Sequence, residues 1–297
     1  NFCGNSFRKE VNNSNIFEQI GCKKCLNKFL KKKLTLGIGI LHYKEDEEML
    51  STALKSIDKQ KGIDFNNIKV VVVTDYEGNK VKETLVTPLN NIKPVYIYKN
   101  IKGYSSGVRN TIIERLNTDY ILFLDCDDEL NKGALKTIYN NVSKYRPELY
   151  GSGVIEKEKD GSTLKHTNLM CLNFCHGKAY SREFLLRNKI KFDVSIKIAE
   201  DLEFNLKVYN KSNNIIFDNK NFTYLWKYNP KSITRKESDV EELSCFFRCF
   251  DEGMIVLNNW YENIDKNDFC NKDFISVLYN LFYYRIKLTK LSKKTEE

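Results

Sequence analysis

The sequence predicts an α/β fold, a mostly parallel sheet flanked by helices. Three observations carry this expectation. Apolar runs such as LTLGIGILHY (34–43) and IKVVVVTD (68–75) are near-continuous, as in strands covered on both faces. Segments with helical apolar spacing stand between the runs. Two runs end in an acid, Asp75 and Asp125, and sheets of this kind bind ligands outside the carboxyl ends of their strands. Three parts follow: a small basic, cysteine-containing element over 1–33, the α/β body over 34–235, and a helical extension over 236–297.

Each element has its own signal. After the first strand, EDEEMLSTALKSIDKQ places Met49, Leu50, Ala53, Leu54 and Ile57 on one helical face. IKVVVVTD is β-branched, as strands prefer. VYIY (95–98) is a further short strand. SSGVRNTIIERLN (105–117) reads as a helix opened by Ser105 or Ser106. DYILFLDCDD follows as a strand running into acids. The next helix, about 131–145, is expected to take Asn131 as its N-cap.

Composition narrows the class. The 297 residues are 41% hydrophobic and 29% charged with only 4 prolines, enough to bury a core and unlike a disordered chain. No run of 18 apolar residues predicts a bilayer-spanning helix. The net charge of +9 is concentrated at the ends. Residues 1–33 hold eight Lys/Arg against two Glu, and 285–297 hold five against two. The middle is neutral, so the ends are candidates for contact with anionic partners, although exposed lysines also simply keep a protein soluble. Nine cysteines in a long chain suggest a reducing, cytoplasmic setting with mostly free thiols.

ILFLDCDDEL (121–130) carries the chemistry. Asp125, Asp127 and Asp128 repel one another unless a cation sits among them. Carboxylate oxygens suit Mg2+ or Mn2+, which commonly also hold substrate phosphates. A turn or helix cap is the alternative use of such acids; the position after a buried strand favours the cation.

Several motifs in order resemble the glycosyltransferases of family 2, which have the GT-A fold and use nucleotide-sugar donors. LGIGILHYKEDEEMLSTALKSIDKQ resembles the first strand and helix, ending in Ser56, Ile57 and Gln60. VVVVTDYEGN resembles the second strand, GYSSGVRN the Gly-x-Ser-x-x-Arg-Asn element, and LDCDDEL the D-x-D-D motif. HGKAYSREFL (176–185), AEDLEFNLKVY (199–209) and YNPKSITRK (228–236) resemble the acceptor-side, catalytic-base and donor-phosphate segments. The first strand departs from the pattern at Leu41-His42-Tyr43-Lys44, keeping the aromatic, and only Asp75 remains of the usual acid pair.

The resemblance implies a metal-dependent, inverting transfer of a sugar from a nucleoside-diphosphate donor, a UDP-sugar first, to a saccharide or glycolipid hydroxyl. It places Asp75 at the nucleotide base, Tyr43, Arg109, Asn110 and Ser232 at the donor, and the metal on Asp127 with Asp125 nearby. Asp201 is the expected catalytic base, with Glu200 the alternative. His176, Lys178 and Trp226 fall on the acceptor side. For His176 a metal ligand, an acceptor contact and a packing role stay open, and for Trp226 a sugar stack or core.

The ends add separate expectations. Cys3, Cys22 and Cys25 resemble half of a zinc knuckle with basic flanks, or are three unpaired cysteines in a basic helix. Residues 273–294 are a basic amphipathic pattern that can pack on the body, dimerise or touch a membrane peripherally. The alternative function is nucleic-acid binding through the basic end, or glycosylation of modified nucleic acid bases.

Overall fold

The computed structural model describes residues 33–43, 47–74, 88–98, 104–167, 172–229, 232 and 239–263. Nine strands form one sheet: β1 (Leu36–His42), β2 (Ile68–Thr74), β3 (Val95–Tyr98), β4 (Tyr120–Asp125), β5 (Glu129–Leu130), β6 (Leu149–Lys157), β7 (Thr163–His166), β8 (Lys178–Ser181) and β9 (Ile215–Trp226). Their order is β3-β2-β1-β4-β8-β6-β9-β5, with β7 on β6. The first four in that order are parallel, as the buried apolar runs required. Beyond β4 the sheet is mixed. β8 runs antiparallel to both β4 and β6, β7 and β5 are antiparallel additions, and β6 pairs parallel with β9. The expected parallel character therefore belongs to the first half.

Helices α1 (Glu47–Asp58) and α3 (Ala134–Tyr145) cover one face; α2 (Tyr104–Arg115), α4 (Arg182–Arg187) and α5 (Glu200–Lys211) cover the other. The alternation in LGIGI decides how closely α2 approaches. Ile38 and Ile40 point to the α1 side. Gly37 and Gly39 point to the α2 side, where a Cβ on Gly39 would lie 2.2 Å from Ile112 Cγ2. Helix α6 (Asp239–Asn263) is the described part of the expected C-terminal extension and packs on α5 through Val256 and Leu257 against Leu202 and Leu206. No helix among the described residues is long and apolar enough to cross a membrane.

Two local expectations are corrected. The helix after the acids starts at Ala134, behind Gly133 in the left-handed region (φ 75°), not at Asn131. Asn131 instead bonds the Phe222 carbonyl through its amide (2.8 Å), because the preceding strand is tied to β9. The helix carrying Arg109 is described from Tyr104, so Ser105 and Ser106, the expected caps, lie inside it.

The α1 motif has a positional use. Ser56 Oγ accepts from Leu130 N (3.0 Å), and Gln60 Nε2 donates to the Asn131 carbonyl (2.9 Å). These bonds fasten the chain just past the acidic cluster to the first helix.

Candidate active site

Strand order reverses at β1, which has β2 on one side and β4 on the other. The acidic cluster stands at the carboxyl end of β4, at this switch point, where open α/β sheets bind ligands. Cys126 N donates to the Leu41 carbonyl (3.1 Å), so the tip of β4 remains attached to β1 as it turns outward. The Asp128 N–H closes the turn on the Asp125 carbonyl (3.0 Å).

Arg109 organises the centre. It is buried on α2, and its guanidinium meets three carboxylates: Asp125 (Nη2 to Oδ1, 3.5 Å), Glu200 (Nη1 to Oε1, 3.1 Å) and Asp201 (Nη1 to Oδ1, 3.0 Å). Burial alone would weaken its charge. The carboxylates outweigh that and hold its proton more tightly than usual. Arg109 thus joins the end of β4 to the start of α5, whose first turn carries Glu200, Asp201 and Glu203. Negative charge is favoured at a helix N-terminus.

The two carboxylates on α5 are held differently. Glu200 Oε1 also accepts from Ser105 Oγ (2.6 Å). Burial and the neighbouring Asp201 push its carboxyl up. Asp201 is buried, and its Oδ2 accepts from Cys175 N (2.9 Å). Its Oδ1 faces Arg109 but accepts no aligned hydrogen bond.

The cluster acids also differ. Burial raises Asp125, but the His176 hydrogen bond (Nε2 to Oδ2, 3.1 Å) and Arg109 outweigh it and hold the carboxyl down at about 2. Asp127 is raised by burial and by Asp125, against a bond from Asn229 Nδ2 (2.8 Å). Burial and the two neighbouring carboxylates push Asp128 well up, although Tyr224 Oη (2.7 Å) and Lys227 N (2.8 Å) donate to it. Asp125, Asp128 and His176 each offer a ligand atom, all within 4.8 Å of one another. Three crowded carboxylates, two of them raised, at a strand end fit a hard divalent cation.

The expected site residues divide into groups. Arg109, Asp125, Glu200, Asp201 and His176 come together. Asp127 stands in the same turn. Of the expected metal pair, the three-residue cluster includes Asp125, and it adds Asp128 and His176. Asn110 sits on α2 with its amide bonded both ways to the Phe192 backbone (2.9 Å each). Lys178 is buried at the start of β8 and donates to the Phe174 carbonyl (2.6 Å). Trp226 packs against Phe174 and His176 at the end of β9 (5.6 and 5.4 Å between ring centroids). Tyr43 is exposed just past β1, and Ser232 N bonds the Asn229 carbonyl (3.0 Å).

Asp75, Cys3, Cys22, Cys25 and the 273–294 pattern lie outside the described residues, so the zinc, nucleic-acid and membrane expectations are not addressed by the fold. The contacts of Tyr224, Asn229 and Ser105 with the acids were not visible in the sequence, where Ser105 stood only as a helix cap and Asn229 only as part of a motif segment. Tyr224 and Asn229 lie 96 and 102 residues from the acids they serve, and only the proximity of YLWKYN to a motif segment hinted at them.

The model of glycosyl transferase family 2 matches residues 38–201, and the chain belongs to that family. The GalNAc(5)-diNAcBac-PP-undecaprenol beta-1,3-glucosyltransferase of Campylobacter jejuni is 30% identical over 113 residues, which are 37% of this chain and 35% of that protein. The chain thus spans about a third of that relative's length. The structure of Staphylococcus aureus TarS 1-349 in complex with UDP-GlcNAc superposes with a TM-score of 0.58 at 18% identity, covering 84% of this chain and 81% of that one. The mannosyltransferase PcManGT of Pyrobaculum calidifontis, in complex with GDP-Man and Mn2+, superposes at 0.57 with 13% identity, covering 94% and 80%. These two likenesses establish the GT-A-like fold.

Proposed function

We propose that this chain transfers a sugar from a nucleoside-diphosphate donor, with UDP-sugars as the leading class, to a hydroxyl of a saccharide or glycolipid, inverting the anomeric carbon. One observation carries the reading. A buried arginine links a carboxylate cluster at the switch point to a second carboxylate, Asp201, whose Oδ1 lies 3.0 Å from the guanidinium. The relatives add support: TarS holds UDP-GlcNAc, PcManGT holds GDP-Man with Mn2+, and the Campylobacter enzyme is named for a lipid-linked acceptor.

Asp125 and Asp127 would hold a divalent cation, Mn2+ or Mg2+, with Asp128 buried behind them. The cation would supply Lewis-acid neutralisation of the departing diphosphate. The acceptor oxygen attacks the anomeric carbon. Asp201 takes the hydroxyl proton, and the carbon–oxygen bond to the diphosphate breaks with its electron pair leaving on the nucleotide. Glu200, fixed by Ser105 and Arg109, holds the guanidinium beside Asp201. Tyr43 and Ser232 belong to the donor side, Trp226 and Lys178 to the acceptor side.

The test offers the protein a panel of nucleotide-sugars with a saccharide acceptor and Mn2+, and reads the product by NMR. Transfer with the anomeric configuration opposite to the donor's is expected. A product that keeps the donor's configuration overturns the single displacement.

A further inference from the structure

Within that reading, the geometry points to His176 as a positioning residue: a fixed Nε2–H donor that orients Asp125 and stays outside the coordination sphere of a cation bound there. The ring is buried, 7% exposed, and walled by aromatics. It stacks on Tyr224 with centroids 4.4 Å apart and planes 6° from parallel. Phe174 and Trp226 lie against it, each 5.4 Å between centroids.

The two ring nitrogens have different surroundings. Nε2 is 3.1 Å from Asp125 Oδ2. Nδ1 is buried and has no hydrogen-bond partner among the described residues. A proton on Nδ1 would be an unsatisfied buried donor, which is costly, whereas a bare Nδ1 lone pair costs less. The proton therefore sits on Nε2 and is donated to Asp125. An Nε2 that carries a proton has no lone pair for a metal. Metal-binding histidines nearly always donate their other ring N–H to an oxygen, and here that other nitrogen faces none.

Proximity alone would make Asp125, Asp128 and His176 a mixed carboxylate–imidazole centre. The tautomer leaves an all-carboxylate protein ligand set, suited to Mg2+ or Mn2+ over softer ions. Tyr224 completes the brace. It stacks on His176, donates to Asp128 Oδ2 (2.7 Å) and accepts from Asp125 N (3.2 Å). Ring and hydroxyl together fix both acids in one orientation.

The direct test is a long-range 1H–15N NMR spectrum of the whole chain labelled with 15N-histidine. The chain has 3 histidines, so H176Q assigns the signal. The Nε2–H pattern is expected, unchanged by saturating Mg2+. An Nδ1–H pattern, or an Nε2 signal displaced by Mg2+ as direct ligation requires, overturns the proposal. Calorimetry with Mg2+ or Mn2+ alone is read separately: no cation binding would sink the metal reading of the site and leave the tautomer standing.

Two variants extend the test, with UDP and Mn2+ as the probe. H176F keeps the stack and loses the N–H, and UDP affinity should fall about tenfold to a hundredfold, the scale of one hydrogen bond to a charged group. H176Q can return an N–H to Asp125 and should recover most of that loss. Equal losses in both, tracking equal falls in Tm, would reduce His176 to packing. If H176F does not fold, the NMR spectrum decides alone.

Discussion

Replacing Asp201 by Asn separates chemistry from scaffolding. The change removes the proposed base and one of the three carboxylates around Arg109. Arg109 keeps Asp125 and Glu200. It is therefore not stranded, and the roughly 3–5 kcal/mol loss of an orphaned buried charge does not apply. The new side-chain oxygen can still accept from Cys175 N, so the start of α5 stays tethered. Removing the charge also relieves Glu200, which Asp201 helps to push up. Stability should thus change by no more than about 1.5 kcal/mol, at the low end for a hydrogen bond to a charged group. Transfer should fall by about 10²–10⁴, the usual cost of a lost general base. That is about 2.7–5.4 kcal/mol of barrier. The assay pairs single-turnover transfer with calorimetric binding of UDP and Mn2+, which should remain within about threefold of the parent chain. A D201N enzyme with near-parental turnover refutes the base assignment. Collapse of UDP binding would mean that the residue serves the scaffold.

Two further outcomes follow from the same geometry. Asp127 and Asp128 are raised, so the folded state holds their protons more tightly than the unfolded chain; their contribution favours folding below the ordinary carboxylate range and is lost as pH rises through the folded values. A cation competes with those protons, so the Tm gain on adding Mn2+ should be small near pH 4 and grow towards pH 7, and an equal gain at both would contradict this account. Asp125 works in the opposite direction: held at about 2, it contributes stability above its ordinary value that is lost only as pH falls through about 2. On β1, G39A brings a Cβ to 2.2 Å from Ile112 Cγ2. Denaturant unfolding should show a loss of about 1–3 kcal/mol from overpacking, and a neutral result would mean that α2 shifts freely and does not hold Arg109 in register.

Much of the frame was legible because it depends on local pattern. The buried runs of β1, β2 and β4 announced parallel strands, and the acid at the end of β4 announced the rim. β8 and β5 were harder to read. They are four and two residues long, and their antiparallel pairing is set by partners far along the chain. Asn131 looked like a cap but serves β9, and Gly133, with no side chain to hinder a positive φ, opens α3. The acids themselves were visible in DCDD and in Glu200-Asp201. What each acid does depends on Arg109, Tyr224, Asn229 and the Cys175 backbone, brought from three separate segments, and no spacing rule reports such contacts.

The most direct measurement is the binding of UDP by D127N in the presence of Mn2+. Asp127 stands in the same turn as the cluster, raised by burial and by Asp125, and when changed to Asn its oxygen can still accept from Asn229 Nδ2. Removing its charge relieves repulsion, so Tm should hold or rise. Calorimetry should then show Mn2+-dependent UDP affinity at least about tenfold weaker than in the parent chain, as expected when a cation loses a charged ligand. Parental UDP affinity in D127N, with Mn2+ still required, would contradict the assignment of this carboxylate to the cation.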